Sequence, residues 1–398
     1  MSPTSAWPAI IGLALVIALG IALEALAPQA PKAHRYQSVD GLRGYLAFAV
    51  YLHHACIWYY YLHGVPWSIP PSRLYTHFGQ TGVSLFFMIT GLLFYSKILD
   101  RRGNGVDWVR LYVSRVLRLT PLYLVACAAL LLFVAILSSH NGLKEPLSQV
   151  TIECLRWLTF TLTGTPDING VPETGTTVAY VFWSLRYEWL FYCMLPLTAL
   201  IAGHRPGWGY LALAIASLGV LLAIGRQPVH PASFLVGMIS ALLSRVDSFT
   251  RLARTSAASV IAVVSLVAAV ALYPSPQDVV PFLLVGGVFV LLACGNTLWG
   301  SLTSPPSRRL GDLSYGIYLL HGLLLFALFT FILSRDQGRQ LDAAWHWVAA
   351  LSITPFLILL SAVAYRYVER PAIDRTAAVT AYWRRIVTRR RPVSVSDR

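Results

Sequence analysis

Charge is what this sequence has least of. Asp, Glu, Lys and Arg together make up 12% of its 398 residues, where a soluble domain carries roughly 25%. Acid is scarcer still, with 17 residues against 31 basic ones. Hydrophobic residues reach 56% and the mean hydropathy is +0.61, so a soluble fold could not bury the apolar surface. Cysteine is also sparse. Cys56, Cys127, Cys154, Cys193 and Cys294 form no CxxC pair and no metal-ligand spacing, so no metal site is expected and redox compartment stays open. There is no internal repeat, and the one low-complexity stretch is the basic tail RRIVTRRRPVSVSDR.

Long apolar runs take the place of charge. A spanning helix needs roughly 20 mostly apolar residues. Eleven such segments are predicted, near 7–27, 42–61, 79–98, 118–138, 180–201, 208–225, 230–246, 257–273, 278–295, 313–334 and 345–367. The expected class is therefore an all-α polytopic membrane protein of about eleven transmembrane helices. The first run lacks a basic leader and is too long for a signal-peptide core, so it reads as a retained span. The organisation predicted is an extra span and linker over 1–35, a membrane domain over 36–375 and a basic tail over 376–398.

Lys and Arg collect on the cytoplasmic side of membrane proteins. With the N-terminus outside, the inner segments hold 23 of the 31 basic residues and the outer ones six, Arg73, Lys144, Arg156, Arg226, Arg335 and Arg339. The N-terminus is thus expected outside and the C-terminus in the cytoplasm. The net charge of +14 is topological on this reading, and nucleic acid is excluded as a partner. The tail at 384–391 is expected to lie on anionic headgroups, at about 1 kcal/mol per basic residue near the surface. On the outer side, CIWYYYLHGVPWSIPPSRLY and WHWV read as interfacial aromatic belts. The one long connection, 139–179, contains LSQVTIECLRWLTFTLTG, a candidate surface-lying or partly inserted helix.

Ionisable groups inside a bilayer are costly and are functional candidates by default. Here they are Arg43, His53, His54, Arg186, Glu188 and His321, with Asp312 at an edge. Each has a structural alternative: a snorkelling arginine, a histidine bonded to a neighbouring helix, an Arg186–Glu188 ion pair. At roughly 100° per residue, the eleven residues from Arg43 to His54 come within about 20° of three full turns, about 16 Å along the axis. Arg43 and His54 thus share a helix face, while His53 points away and reads as structural. WVRLYVSRVLRLTPLYLV adds Arg110, Arg115 and Arg118 at the same boundary. They are either positive-inside topology alone or a phosphate clamp, to which arginine's forked donors are suited.

Together these motifs resemble acyltransferase family three, integral membrane enzymes that acylate surface glycans and some small molecules. SVDGLRGYLAFAVYLHHA is similar to the family's opening motif, an arginine and a histidine separated by ten residues, met by Arg43 and His54. VSLFFMITGLLF, RVLRLTPLYL, FWSLRYEWLFY, LGDLSYGIYLLH and YRYVERPAI resemble its later motifs in the family's order, over about 36–374. Two features depart from the family: Thr90 stands where serine is usual, and a first span precedes the usual ten-span core. The chain also stops soon after the last span, so a second transfer step would need a separate soluble transferase partner or would not exist.

The resemblance implies an O-acyltransferase, acetyl being the expected group, using cytoplasmic acyl-CoA as donor substrate without a tightly bound cofactor. The acceptor would be a hydroxyl of a cell-surface or periplasmic glycan, and the location the bacterial inner membrane. His54 would be general base or transient acyl carrier, Glu188 the acid orienting an imidazole, and His321 a second base or donor. Arg43, Arg115 and Arg118, with Arg110, would bind CoA phosphates. Asp40, Trp58, Tyr59 and Trp183 are the substrate-binding candidates, and Tyr60, Trp67 and the 139–179 connection could also stack on a sugar. The alternatives are acylation of a macrolide-type small molecule and, in another class, a proton-coupled transporter relaying through His54, Glu188 and His321.

Overall fold

In a bilayer every backbone N–H and C=O must find a partner within the chain, and uninterrupted apolar runs satisfy this as helices. The computed structural model describes residues 2–28, 35–101, 105–139, 142–224 and 228–389. Four long helices come first: α1 (Trp7–Leu26), α2 (Gln37–Leu62), α3 (Arg73–Leu99) and α4 (Trp108–Ser138). A connecting helix, α5 (Leu147–Leu158), precedes α6 (Trp183–Ile201), α7 (Trp208–Ile224), α8 (Val229–Leu243), α9 (Asp247–Ala253), α10 (Ser256–Leu272) and α11 (Val279–Ala293). Then come α12 (Pro305–Ala327), α13 (Ser334–Gln340), α14 (Ala343–Ser352), α15 (Thr354–Ala364), α16 (Arg370–Asp374) and α17 (Thr376–Arg389). Among the described residues no strand forms beyond an isolated bridge between Ile168 and Val171. The fold is all-α and polytopic.

Each of the eleven predicted runs falls on helix, but they are unequal. Trp7–Leu26, Arg73–Leu99, Trp108–Ser138, Pro305–Ile332 and Ala343–Ile386 are long and apolar enough to cross a membrane. Trp208–Ala223, Ser256–Leu272 and Val279–Ala293 are shorter, and α8 meets α9 at a 108° bend. At 1.5 Å per residue, helices of this length reach about 25 Å, short of a hydrocarbon core of about 30 Å. The run predicted at 345–367 is two helices, α14 and α15, followed by a π-helical turn at Tyr365–Glu369. The basic tail begins as α17, tied to the start of α4 by Arg384 at 2.5 Å from Asp107; the rest of the tail, 390–398, lies outside the described residues.

The centre of the bundle is α2 against α12, flanked by α3 and α15. Where apolar surface has no water to flee, helices associate through close packing of small residues. A Cβ on Gly41 would stand 1.9 Å from the carbonyl oxygen of Leu302, in the turn that leads into α12, and one on Gly311 2.0 Å from that of Asp40. The two backbones therefore touch near their N-terminal ends. Gly79 on α3 does the same for a side chain, since a Cβ there would meet the His53 ring at 2.5 Å. Helix α1 lies outside this core, with Gly12 against Phe48 and Leu351, and Gly20 against Leu310. Its leading residues are anchored by Trp347 Nε1 donating to the Pro3 carbonyl at 3.0 Å and the Tyr75 hydroxyl donating to Ser5 at 2.9 Å.

The long connection is folded. Asn169 Oδ1 accepts from the Lys144 and Glu145 amides at 2.8 and 3.4 Å, and its side-chain amide donates to Gly142 at 3.1 Å. Glu153, buried on α5, accepts from the Asn169 amide at 3.1 Å and from Gln149 at 2.8 Å. This pinned segment ends in a 3₁₀ turn, Thr174–Val178, whose Val178 backbone packs on Gly322 of α12.

Overpacking a tight interface costs about 1–3 kcal/mol. Gly311→Ala should therefore lower the Tm of the detergent-solubilised protein by several degrees. Gly219→Ala, at a helical glycine with nothing within 4 Å, should not lower it. Equal Tm values for the two variants would show that the α2–α12 contact is slack.

Candidate active site

The contact between α2 and α12 sets two imidazoles edge to edge. His321 Nε2 lies 3.0 Å from His54 Nδ1, with the rings near-parallel at 25° and centroids 5.1 Å apart. The Ile317 carbonyl is 3.0 Å from His321 Nδ1, and a carbonyl can only accept, so that nitrogen carries the proton. In a neutral imidazole the other nitrogen then accepts. His54 Nδ1–H therefore donates to His321 Nε2, which leaves the lone pair of His54 Nε2 uncommitted. This tautomer assignment follows from the bonding pattern, as it must where hydrogens are inferred. The bond to His321 fixes the orientation of the His54 ring. His53 turns to α3, with Nδ1 2.7 Å from the Tyr75 carbonyl.

A cavity of about 550 Å³ opens at the end of the bundle that carries Arg35, Lys97 and Arg308, and runs inward between α2, α3, α4, α6 and α12. That volume suits a small-molecule ligand. Arg43, Arg115, Arg118, Arg309, Asp40, Asp312 and Glu188 also line it. Arg115 lies over the Phe94 ring at 4.8 Å and near that of Tyr192 at 5.9 Å. Arg118 pairs at 3.4 Å with Glu369, which is fully buried behind it. The inner lining includes Val83, Phe86, Phe87, Ser184 and Tyr318.

Tyr318 stands between this cavity and the imidazoles. Its hydroxyl is 2.7 Å from that of Ser184 and donates to the Val181 carbonyl at 3.1 Å, while its ring meets His321 edge-on at 6.2 Å. On the other side of the pair Trp67 stacks over His54, centroids 6.2 Å apart at 18°. Tyr61 and Tyr180 flank Trp67 at 5.5 and 6.0 Å, and the Tyr61 hydroxyl donates to Glu173 at 2.5 Å. Glu173, Ala179 and Tyr180 hold left-handed backbone conformations, φ 55°, 49° and 56°, which are unfavourable for residues with a Cβ and recur at functional sites.

The sequence-predicted residues divide accordingly. His54 and His321 meet, and Arg43, Arg115 and Arg118 share the cavity. Glu188 also faces the cavity, not His54: it accepts from the Tyr192 hydroxyl and interacts electrostatically with Arg115, Arg43 and Arg118. It forms no ion pair with Arg186, which lies 5.5 Å from the Tyr187 ring. Arg110 is exposed at the start of α4, outside the cavity lining. Asp40, a candidate substrate contact, lines the cation-rich cavity. Trp58 is fully buried and stacks on Phe329, so it offers no face to a sugar. Tyr59 turns toward His63 and His346, and Trp183 packs with His230 and Tyr187.

Several residues that shape the site were not singled out from the sequence: Arg308, Arg309, Tyr318, Glu173 and Glu369. Arg309 carries a recoverable signal. It stands twelve residues before His321 on α12, about a third of a turn off the His321 face, while Arg43 stands eleven before His54 on α2; both central helices have a cation at one end and an imidazole in the middle.

The family model of acyltransferase family 3, described as an acyltransferase domain, matches residues 36–366. A Bacillus subtilis (strain 168) protein provisionally named peptidoglycan O-acetyltransferase YrhL is 24% identical over 90% of this chain. The chain spans 58% of the length of that relative. Nodulation protein 10 of Rhizobium leguminosarum bv. viciae is 25% identical over 76% of this chain and 85% of its own length. No solved structure matches the chain. The polar centre of this all-α bundle thus sits within the matched region, and the chain belongs to acyltransferase family 3, as a multi-pass membrane protein.

Proposed function

We propose that the protein is an O-acetyltransferase that takes acetyl from acetyl-CoA on the cation-rich face and delivers it to a glycan hydroxyl arriving from the opposite face. The observation that carries this reading is the His54–His321 pair, bonded at 3.0 Å beyond the inner end of an arginine-lined cavity. On this reading Arg43, Arg115 and Arg118, with Arg308 and Arg309, hold the CoA phosphates, and Tyr318 and Ser184 flank the thioester. The acceptor comes past Trp67, Tyr61 and Tyr180. The name of the Bacillus relative supports a glycan acceptor, peptidoglycan being that protein's substrate by name. The basic asymmetry supports a cytoplasmic cavity mouth, with the N-terminus outside and the C-terminus inside the bacterial inner membrane.

In the transfer, the His54 Nε2 lone pair takes the proton of the acceptor hydroxyl as that oxygen attacks the thioester carbonyl carbon. The new C–O bond forms, the C–S bond breaks, and the departing CoA thiolate takes the proton from the imidazolium. The products are one acetyl ester and one CoA thiol. His321 accepts from His54 Nδ1–H throughout, stabilising the imidazolium. A positioned general base of this kind contributes about 10²–10⁴ in rate.

His54→Ala should abolish transfer while the protein inserts normally, and His321→Ala should lower kcat with little change in KM. His53→Ala should be milder, because its ring is committed to the Tyr75 carbonyl. The check is CoA release from acetyl-CoA in liposomes containing membrane glycan; equal losses at His53 and His54, or an active His54→Ala enzyme, would refute the assignment.

Arg115→Ala should act on the donor alone. Hydrogen bonds to charged groups contribute roughly 1.5–3 kcal/mol, so the KM for acetyl-CoA should rise about ten- to a hundredfold at nearly constant kcat. Lysine should rescue only in part, lacking the planar fork. An unchanged KM in titrations of acetyl-CoA would remove Arg115 from the donor site.

A further inference from the structure

The π-helical turn Tyr365–Glu369 ends in a carboxylate with no solvent exposure. Its Oε2 lies 3.4 Å from Arg118 Nη1, and among the described residues neither carboxylate oxygen has a hydrogen-bond partner. Glu369 closes the π turn and meets Arg118 there. Glu369 does not line the cavity, whereas Arg118 does, with its side chain 16% exposed. Arg118 is also close enough to Arg43 for the two cations to repel. Asp40, Glu188 and Asp312 in the lining offset part of this repulsion, and Glu369 adds to them from outside the lining.

We propose that Glu369 is the built-in counter-ion of the donor cavity, neutralising Arg118 while no phosphate is bound and limiting how tightly phosphate binds when it is. The proposal rests on the reading of this cavity as the acyl-CoA site. Two features separate a counter-ion from a structural clamp. The pair is electrostatic without hydrogen bonding, so the guanidinium N–H groups remain available to a phosphate. And the carboxylate sits behind the arginine, where an arriving anion does not displace it. A buried ion pair of this kind adds little net stability, though removing one partner exposes the other to an uncompensated environment. In a site that must release CoA after each transfer, a carboxylate held against Arg118 keeps product from being retained.

The test uses the full chain in lipid nanodiscs, with free CoA as the probe, measuring Kd and Tm with and without CoA. Glu369→Gln should lower the Tm of the empty protein. It should tighten CoA binding by roughly tenfold, the effect of removing one competing charge at close range. CoA should then raise the Tm by more than it does in the wild type, because a ligand stabilises in proportion to its affinity, and kcat should fall as CoA release slows. If Glu369→Gln does not insert, Glu369→Asp, with its charge held further back, should show the same signs at smaller size. An unchanged or weaker CoA affinity in the variant that inserts, with the same Tm loss whether or not CoA is present, would make Glu369 a structural partner only and overturn the proposal. Absence of CoA binding by the wild type would instead overturn the donor reading.

Discussion

The contact on which the rest depends is backbone against backbone, at Gly41 and Gly311. No side chain separates α2 from α12 there, so the imidazoles three turns further along come within hydrogen-bond reach. Two neutral histidines in an apolar interior would each need a partner; each supplies part of the other's, and the Ile317 carbonyl completes the set. The chemistry of the site follows from this geometry, since the same bonds that satisfy the pair fix its tautomers and leave one lone pair on His54.

The second constraint is charge. A membrane protein keeps arginine at one face for topological reasons, and this fold draws several of those arginines inward to line a cavity between its central helices. The acids that accompany them, Asp40, Glu188, Asp312 and Glu369, sit at the same end. They offset repulsion among the cations. Acid and imidazole thus have separate tasks at separate depths, joined by the Tyr318 side chain.

What could be read from the sequence was what lies along a single helix. The Arg43–His54 stripe depends only on helical periodicity, and the eleven apolar runs only on composition. What could not be read was which helices face each other. Glu188 belongs with arginines because α6 presents it to α4, a tertiary fact that its spacing does not carry. Trp58 and Trp67 are alike as members of an aromatic belt, yet one is buried against Phe329 and the other covers His54. Glu369 falls in the motif YRYVERPAI, but its pairing with Arg118 is a tertiary contact that its spacing does not carry.

The central claim is that donor and acceptor reach the His54–His321 pair from opposite faces. It is tested most directly by sidedness: radiolabelled acetyl-CoA is supplied to one side only of sealed vesicles, inverted or right-side-out, that contain the protein and native membrane glycan. The account predicts base-labile label on glycan inside inverted vesicles, and none when the donor is confined to the outside of right-side-out vesicles. Equal labelling from both sides, or labelling from the opposite side alone, would contradict it.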